Sequence, residues 1–206
     1  MKSVLMSIQP KWCELIASGE KTFEVRKTRP KISPPFKVYI YCTKGSGDCL
    51  WRWNGIWYDT QFPNERPNRL DGKVIGEFTC ERIDSYHRFM IDEIRNERAE
   101  KIVKDIESKA CITLDYLKEY TSNLDRYDEF YVWHISDLKI YDKPRELSEF
   151  KRFCDGVGGK IGCRGCQYYY SENTESGSYE ECLCDNLRPI TRAFQSWGYV
   201  ASEDTE

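Results

Sequence analysis

Residues 4–27 read VLMSIQPKWCELIASGEKTFEVRK, and three elements follow from their order. The apolar run within KSVLMSI, residues 2–8, predicts a strand that stops at Gln9-Pro10. Proline is tolerated in a first helical turn, where its missing N–H has no partner to lose. Trp12, Leu15 and Ile16 then follow at helical spacing, and Gly19 is a good helix stop. From Thr22 to Lys27 the pattern alternates, with Phe23 and Val25 on one face and Thr22, Glu24 and Arg26 on the other. Strand, short helix, turn and strand therefore open the chain, with Lys21 in the turn.

Working outward, the Pro-rich RPKISPP leads to KVYIYCT, a third strand. Residues 45–72 hold Trp51, Trp53, Trp57 and Tyr58, and WRWNGIWY centres on Asn54-Gly55, a strong hairpin signal. Paired aromatics stabilise hairpins, so these tryptophans are expected to pack on the domain more than to form a stacking platform. KVIGEFTC (73–80) is the next strand. Residues 89–108 predict one charged helix with Ile91, Ile94, Ile102, Val103 and Ile106 on a stripe, followed by a helix in TLDYLKEYT. EFYVWHIS and LKIYD predict strands, a short helix is expected near residues 147–150, and AFQSWGYV predicts a strand or ordered tail. No helix separates the strands regularly enough for a parallel sheet. The expected class is α+β: a small β-barrel with flanking helices. Residues 1–144 form the domain, and residues 145–206 a cysteine-rich extension.

The net charge of −3 and the pI of about 5.6 weaken any picture of a protein coating duplex DNA through bulk positive charge. A local basic cleft remains compatible with them. The start of the chain lacks a signal-peptide pattern, and no apolar run approaches a membrane span, so a cytoplasmic protein is expected.

Lys21, Glu24 and Arg26 are the first chemical constellation. Arginine offers a planar fork, glutamate accepts from amino groups and lysine supplies a mobile cation, so together they can grip a base edge and a phosphate. A solvated strand face with an incidental Glu–Arg pair fits the same spacing. Beyond spacing, residues 4–27 resemble the opening of ASCH domains: a strand ending S-I-x-P, a short helix, then G-x-K-x-x-E-x-R, matched by Gly19, Lys21, Glu24 and Arg26. VYIYCTK (38–44), GKVIGEFTC (72–80) and WHISDLKIYDKP (133–144) follow in the family's order, so the resemblance covers roughly residues 2–144. It implies a PUA-like barrel, the fold of RNA-binding PUA domains, and a cleft faced by Lys21, Glu24 and Arg26. Thr43, Lys44, Trp133 and His134 are expected on the cleft wall, where an aromatic can stack a base and a neutral imidazole can bond to one.

The second constellation is metal-like. Cys163 and Cys166 form C-x2-C, Cys182 and Cys184 form C-x-C, and fifteen residues separate the pairs. Soft thiolates at such spacing in a cytosolic chain point to one structural zinc ion, with Cys154 a possible substitute ligand; free thiols, a disulfide or an iron–sulfur cluster are the alternatives.

Two function classes follow. One is a binding module for RNA or a modified nucleotide. The other is a hydrolase, because some small ASCH proteins remove the acetyl group of N4-acetylcytidine and others are reported as ribonucleases. The amidohydrolase pattern resembles G-x-K-T-x-T-x-R. Gly19, Lys21, Thr22 and Arg26 fit it, but Glu24 stands where the nucleophilic threonine would be. Lys21 and Glu24, with Glu77 as a remote acid, are then the catalytic candidates. A protein-interaction factor from a mobile element is compatible with the acidic pI and is not selected by any residue.

Overall fold

The computed structural model describes residues 2–44, 51–53, 56–58, 70–153 and 187–201, with only the main chain described at 51–53 and 56–58. In chain order the elements begin β1 (Lys2–Ile8), α1 (Pro10–Ala17), β2 (Phe23–Arg26), β3 (Phe36–Cys42), β4 (Trp51–Trp53) and β5 (Ile56–Tyr58). They continue with β6 (Lys73–His87), α2 (Phe89–Asp92), α3 (Glu97–Ala110), α4 (Leu114–Tyr120) and β7 (Glu129–Glu146). A 3-10 turn at Leu147–Glu149 then precedes β8 (Lys151–Phe153), β9 (Leu187–Pro189) and β10 (Trp197–Ala201).

Eight strands form one sheet in the order β2-β7-β6-β3-β1-β10-β8-β9, while β4 and β5 pair with each other as the Asn-Gly signal predicts. β1 and β3 are parallel, and their alternating residues feed two cores. Val4, Met6, Ile8, Val38 and Ile40 pack with α1 on one face. Leu5, Tyr39 and Tyr41 pack with Phe150, Ile190 and Val200 on the other. A third cluster joins Phe23 and Val25 of β2 to α3 and α4 through Val103, Ile106 and Leu117.

The sheet is not closed, which corrects the barrel expectation: β2 and β9 remain its two edges. β6 and β7 shift register between Val74 and Gly76, Glu77 and Thr79, and Cys80 and Ile83, and such irregularities bend a sheet without closing it. β2 is only four residues long, and the turn before it is tied to a helix: Thr22 N–H donates to Lys109 O. The helix expected over 89–108 is two helices. Asn96 caps α3, accepting from Ala99 N–H at 2.9 Å, which restarts the helix there and leaves Ile94 39% exposed. The two strands expected at EFYVWHIS and LKIYD are one strand, β7, with Asp137 at φ 46° near its middle.

The boundary drawn at residue 144 falls within β7, and β8, β9 and β10 belong to the same sheet. β10 pairs antiparallel with β1 from Lys2↔Ala201 to Met6↔Trp197. Residues 154–186, with Cys154, Cys163, Cys166, Cys182 and Cys184, lie outside the described residues. Among the described residues no group of three or more His, Cys, Asp or Glu is arranged to hold a metal ion. No described helix is long and apolar enough to cross a membrane.

Candidate functional site

The turn after α1 determines where Lys21 goes. Gly19 takes φ +82°, a conformation that L side chains rarely adopt, and donates its N–H to Ile16 O. The Lys21 N–H then returns to Leu15 O at 2.9 Å. Lys21 Nζ donates to Ala110 O at 2.7 Å and lies 3.3 Å from Glu24 Oε2. Glu24 Oε1 lies 3.1 Å from Arg26 Nη2. The two β2 side chains share a face by strand alternation, as the sequence predicts, while Phe23 and Val25 enter the helix-packed core.

All three charged residues are buried, at 3%, 6% and 8% exposure for Lys21, Glu24 and Arg26. Two cations against one anion leave one positive charge without a counter-charge in this group. Removing charges from water is expensive unless they are paired and hydrogen-bonded. The pairing here is incomplete. Arg26 Nε is buried without a hydrogen-bond partner, and Glu24 Oε2 has Lys21 at ion-pair distance but no hydrogen bond.

Above this cluster opens a cleft of about 500 Å³, within the size of small-molecule sites, roughly 300–1,000 Å³. Its lining includes Trp12, Tyr116, Tyr120, Gln9, Gln195 and Ser196. Tyr116 and Tyr120 stand one helical turn apart on α4, with parallel rings 6.4 Å between centroids, and Trp12 meets Tyr116 edge-on at 5.6 Å. Burial pushes both phenols above their ordinary range, so they stay neutral and able to donate. The cleft therefore joins flat apolar faces to a floor of charged donors and acceptors.

Lys21, Glu24, Arg26 and Thr43 all line this cleft. The other four expected residues do not. Trp133 stands opposite Glu24 in the β2–β7 ladder but is fully buried behind it, packed on Phe36 and Trp197. Large apolar area, favoured inside, placed it in the core. His134, the next residue, points to the opposite side of β7, where its Nε2 lies 2.8 Å from Asp84 Oδ2 beside Arg82. Lys44 runs across Gly72, where a Cβ would meet its Cε at 2.5 Å. Glu77 accepts from the Tyr141 hydroxyl at 2.6 Å and faces Lys37 at 3.6 Å, so it is held in a separate polar cluster.

Several lining residues were not singled out in the sequence. The i, i+4 tyrosines of TLDYLKEYT were visible as a spacing, but nothing marked that face as facing the charged turn. Gln195 and Ser196 arrive from the far end of the chain. Ser7 N–H donates to Ser196 O at 2.8 Å, Ser7 Oγ donates to Phe194 O at 2.6 Å, and Arg26 Nη1 donates to Ser196 Oγ at 3.3 Å. That wall depends on long-range pairing, for which the local sequence carries no signal.

Comparison with curated proteins finds no match. Among solved structures, the chain is similar to the ASCH protein of Zymomonas mobilis, at 16% identity and a TM-score of 0.43, over 70% of this chain and 73% of that one. A mutant form of the same protein gives 16% identity and a TM-score of 0.47, over 71% and 77%. The N-terminal domain of Staphylothermus marinus McrB gives 14% and 0.38, over 71% and 77%. The assignment rests instead on the family comparison: residues 6–139 match the ASCH domain, a PUA-like fold, and the chain belongs to the ASCH domain family.

Proposed function

We propose that the cleft binds a nucleotide unit of RNA, or a modified nucleotide, through Lys21, Glu24 and Arg26. What supports this reading above all is the buried floor of two cations and one anion, with the Arg26 Nε donor unpartnered, at the base of an aromatic-walled cleft. The Tyr116 and Tyr120 faces suit base stacking, and Glu24 suits an exocyclic amino group. The net positive charge suits an anion. ASCH domains share the PUA-like fold associated with RNA binding.

A hydrolase acting on N4-acetylcytidine or RNA is the second reading. It would need Glu24 as a base on water and Lys21 to stabilise developing negative charge. The placement of Glu24 beside Lys21 in the cleft lining is the observation that favours it. Glu77 bonds to Tyr141, faces Lys37 and is not part of the cleft lining, so neither version is built on it.

Titration with short single-stranded RNA, together with an assay for N4-acetylcytidine turnover, decides between them. For the binder, wild type shows no turnover, and Lys21→Ala and Glu24→Gln each weaken affinity by roughly 1–3 kcal/mol, the range for one good base contact. For the hydrolase, the same changes reduce turnover by orders of magnitude. Absence of both binding and turnover would overturn both readings.

A further inference from the structure

The cleft rim continues into the loop Lys27-Thr28-Arg29-Pro30-Lys31, whose first two residues belong to the cleft lining. Lys27 and Arg29 of this loop, and Lys2 of β1, each lie over a ring. Lys27 Nζ lies 4.8 Å from the Tyr120 ring centroid, the Arg29 guanidinium 5.6 Å from that of Tyr131, and Lys2 Nζ 5.5 Å from that of Tyr199. Lys2, Arg29 and Lys31 are exposed. Among the described residues none of Lys2, Lys27, Arg29 and Lys31 lies at ion-pair distance from a carboxylate, whereas Lys73, Arg88, Lys104, Lys109, Arg126 and Arg145 each do. Lys27 instead donates to the Asn123 side-chain oxygen. Glu129 accepts from the hydroxyl of Tyr131, the ring that Arg29 overlies, at 3.0 Å.

The loop is also fixed in place. Trp197 Nε1 donates to Thr28 Oγ1 at 3.0 Å, and Lys31 N–H donates to Tyr199 Oη at 2.6 Å. β10 thus holds a row of cations that starts at the cleft rim with Lys27 and leads away from it along the β1–β10 ladder, in a chain whose net charge is −3. Four residues of chain span at most roughly 14 Å, so Lys27 and Lys31 can meet neighbouring phosphates of one strand. Exposed cations over aromatic faces are the combination that single strands use, with charge for the backbone and rings for the bases.

We infer that the 27–31 loop and Lys2 form the backbone track of a single-stranded polynucleotide that places one base in the cleft. The ligand is then a strand, and a free nucleoside or mononucleotide would leave the track empty. The inference rests on the nucleotide reading of the cleft.

Titrations of the full chain over a range of salt concentrations test it. The probes are a short single-stranded RNA, a DNA of the same sequence, and the four nucleoside monophosphates. Wild type is compared with Arg29→Ala/Lys31→Ala and with Arg98→Ala/Lys101→Ala, which removes the same charge from the exposed face of α3. The strand should bind more tightly than any monophosphate. Its log–log salt slope should fall by roughly 1.4 in the loop variant, about 0.7 for each lost phosphate contact, and stay unchanged in the α3 variant. Monophosphate affinity should be the same in all three proteins. Equal RNA and DNA affinity supports a track that meets phosphates alone, and preference for RNA supports one that also meets the 2′-hydroxyl. Equal slopes in the two double variants, or a strand no tighter than a monophosphate, would overturn the track and leave the cleft reading standing. No binding by any probe would overturn both. Unchanged melting of the loop variant checks that the fold is intact.

Discussion

Arg26 donates through Nη2 to the main-chain carbonyl of Ser7 at 2.8 Å, linking edge strand β2 to β1, two strands that do not pair with each other. The curvature of the long strands β6 and β7 brings the edge back over β1, and one guanidinium spans the gap that no ladder closes. The same side chain forms the floor of the cleft. Fold and site therefore share a residue, and its planar fork serves Ser7, Ser196 and Glu24 at once.

Arg26→Lys keeps the charge beside Glu24 but has no fork to reach all three partners. A buried carbonyl left unsatisfied costs about 1–3 kcal/mol. Urea unfolding should show a loss of that size, and nucleotide affinity should fall with it. An unchanged unfolding midpoint would show that Arg26 does not hold β2 to β1.

Trp133 and Tyr116 separate core from cleft. Trp133 is fully buried, so Trp133→Ala should cost about 3–5 kcal/mol of stability. Tyr116 is partly exposed in the cleft lining, so Tyr116→Ala should cost far less stability and weaken strand binding by about 1–3 kcal/mol, the value of one stacked base. Thermal melts and titrations of both variants check the pair. Similar profiles for the two would return Trp133 to the cleft wall.

Much of the fold was legible where a local pattern and a tertiary role coincide. The opening strand, helix and strand were set by Pro10, Gly19 and the alternation from Thr22, and the structure keeps all three. Lys21, Glu24 and Arg26 converge because turn and strand parity are local properties. That the sheet stays open was not legible, since strand order and the register shifts of β6 and β7 are long-range properties that composition does not announce. Trp133 and His134 show the same limit at a smaller scale. Adjacent strand residues face opposite sides, so both could not share one wall, and burial took the larger one. Gln195 and Ser196 reach the cleft only through the pairing of β10 with β1.

An alkaline limb in stability follows from buried thiols and phenols. Burial pushes the Cys80 thiol up to about 12 and also raises Tyr86, Tyr116 and Tyr120. A folded pKa above the unfolded one means that the folded state holds the proton longer. The Cys80 contribution is then complete below about pH 9 and is lost as pH rises towards 12. Its slope is at most about 1.4 kcal/mol per pH unit. Unfolding measured from pH 8 to 11 should show this decline, and Cys80→Ala should make it shallower. An identical limb in that variant would remove Cys80 from the account.

The last prediction concerns zinc, which we propose is bound once per chain by Cys163, Cys166, Cys182 and Cys184. The sequence supports it through the C-x2-C and C-x-C spacings. The described flanks add a constraint: Phe153 of β8 pairs with Leu187 of β9, so the chain leaves and re-enters the sheet across a single ladder. From β9 it runs through buried Ile190, whose N–H donates to Phe150 O, to the cleft residues Gln195 and Ser196. Native mass spectrometry should find one zinc, released by a strong chelator. Cys163→Ser and Cys182→Ser should each lose it, while Cys154→Ser retains it. Because metal binding and local folding are coupled, metal removal should speed amide exchange at residues 187–196 and leave the amides of β6 and β7 protected. A mildly purified chain without metal would sink the proposal. Loss on Cys154→Ser with retention on Cys182→Ser would reassign the fourth ligand.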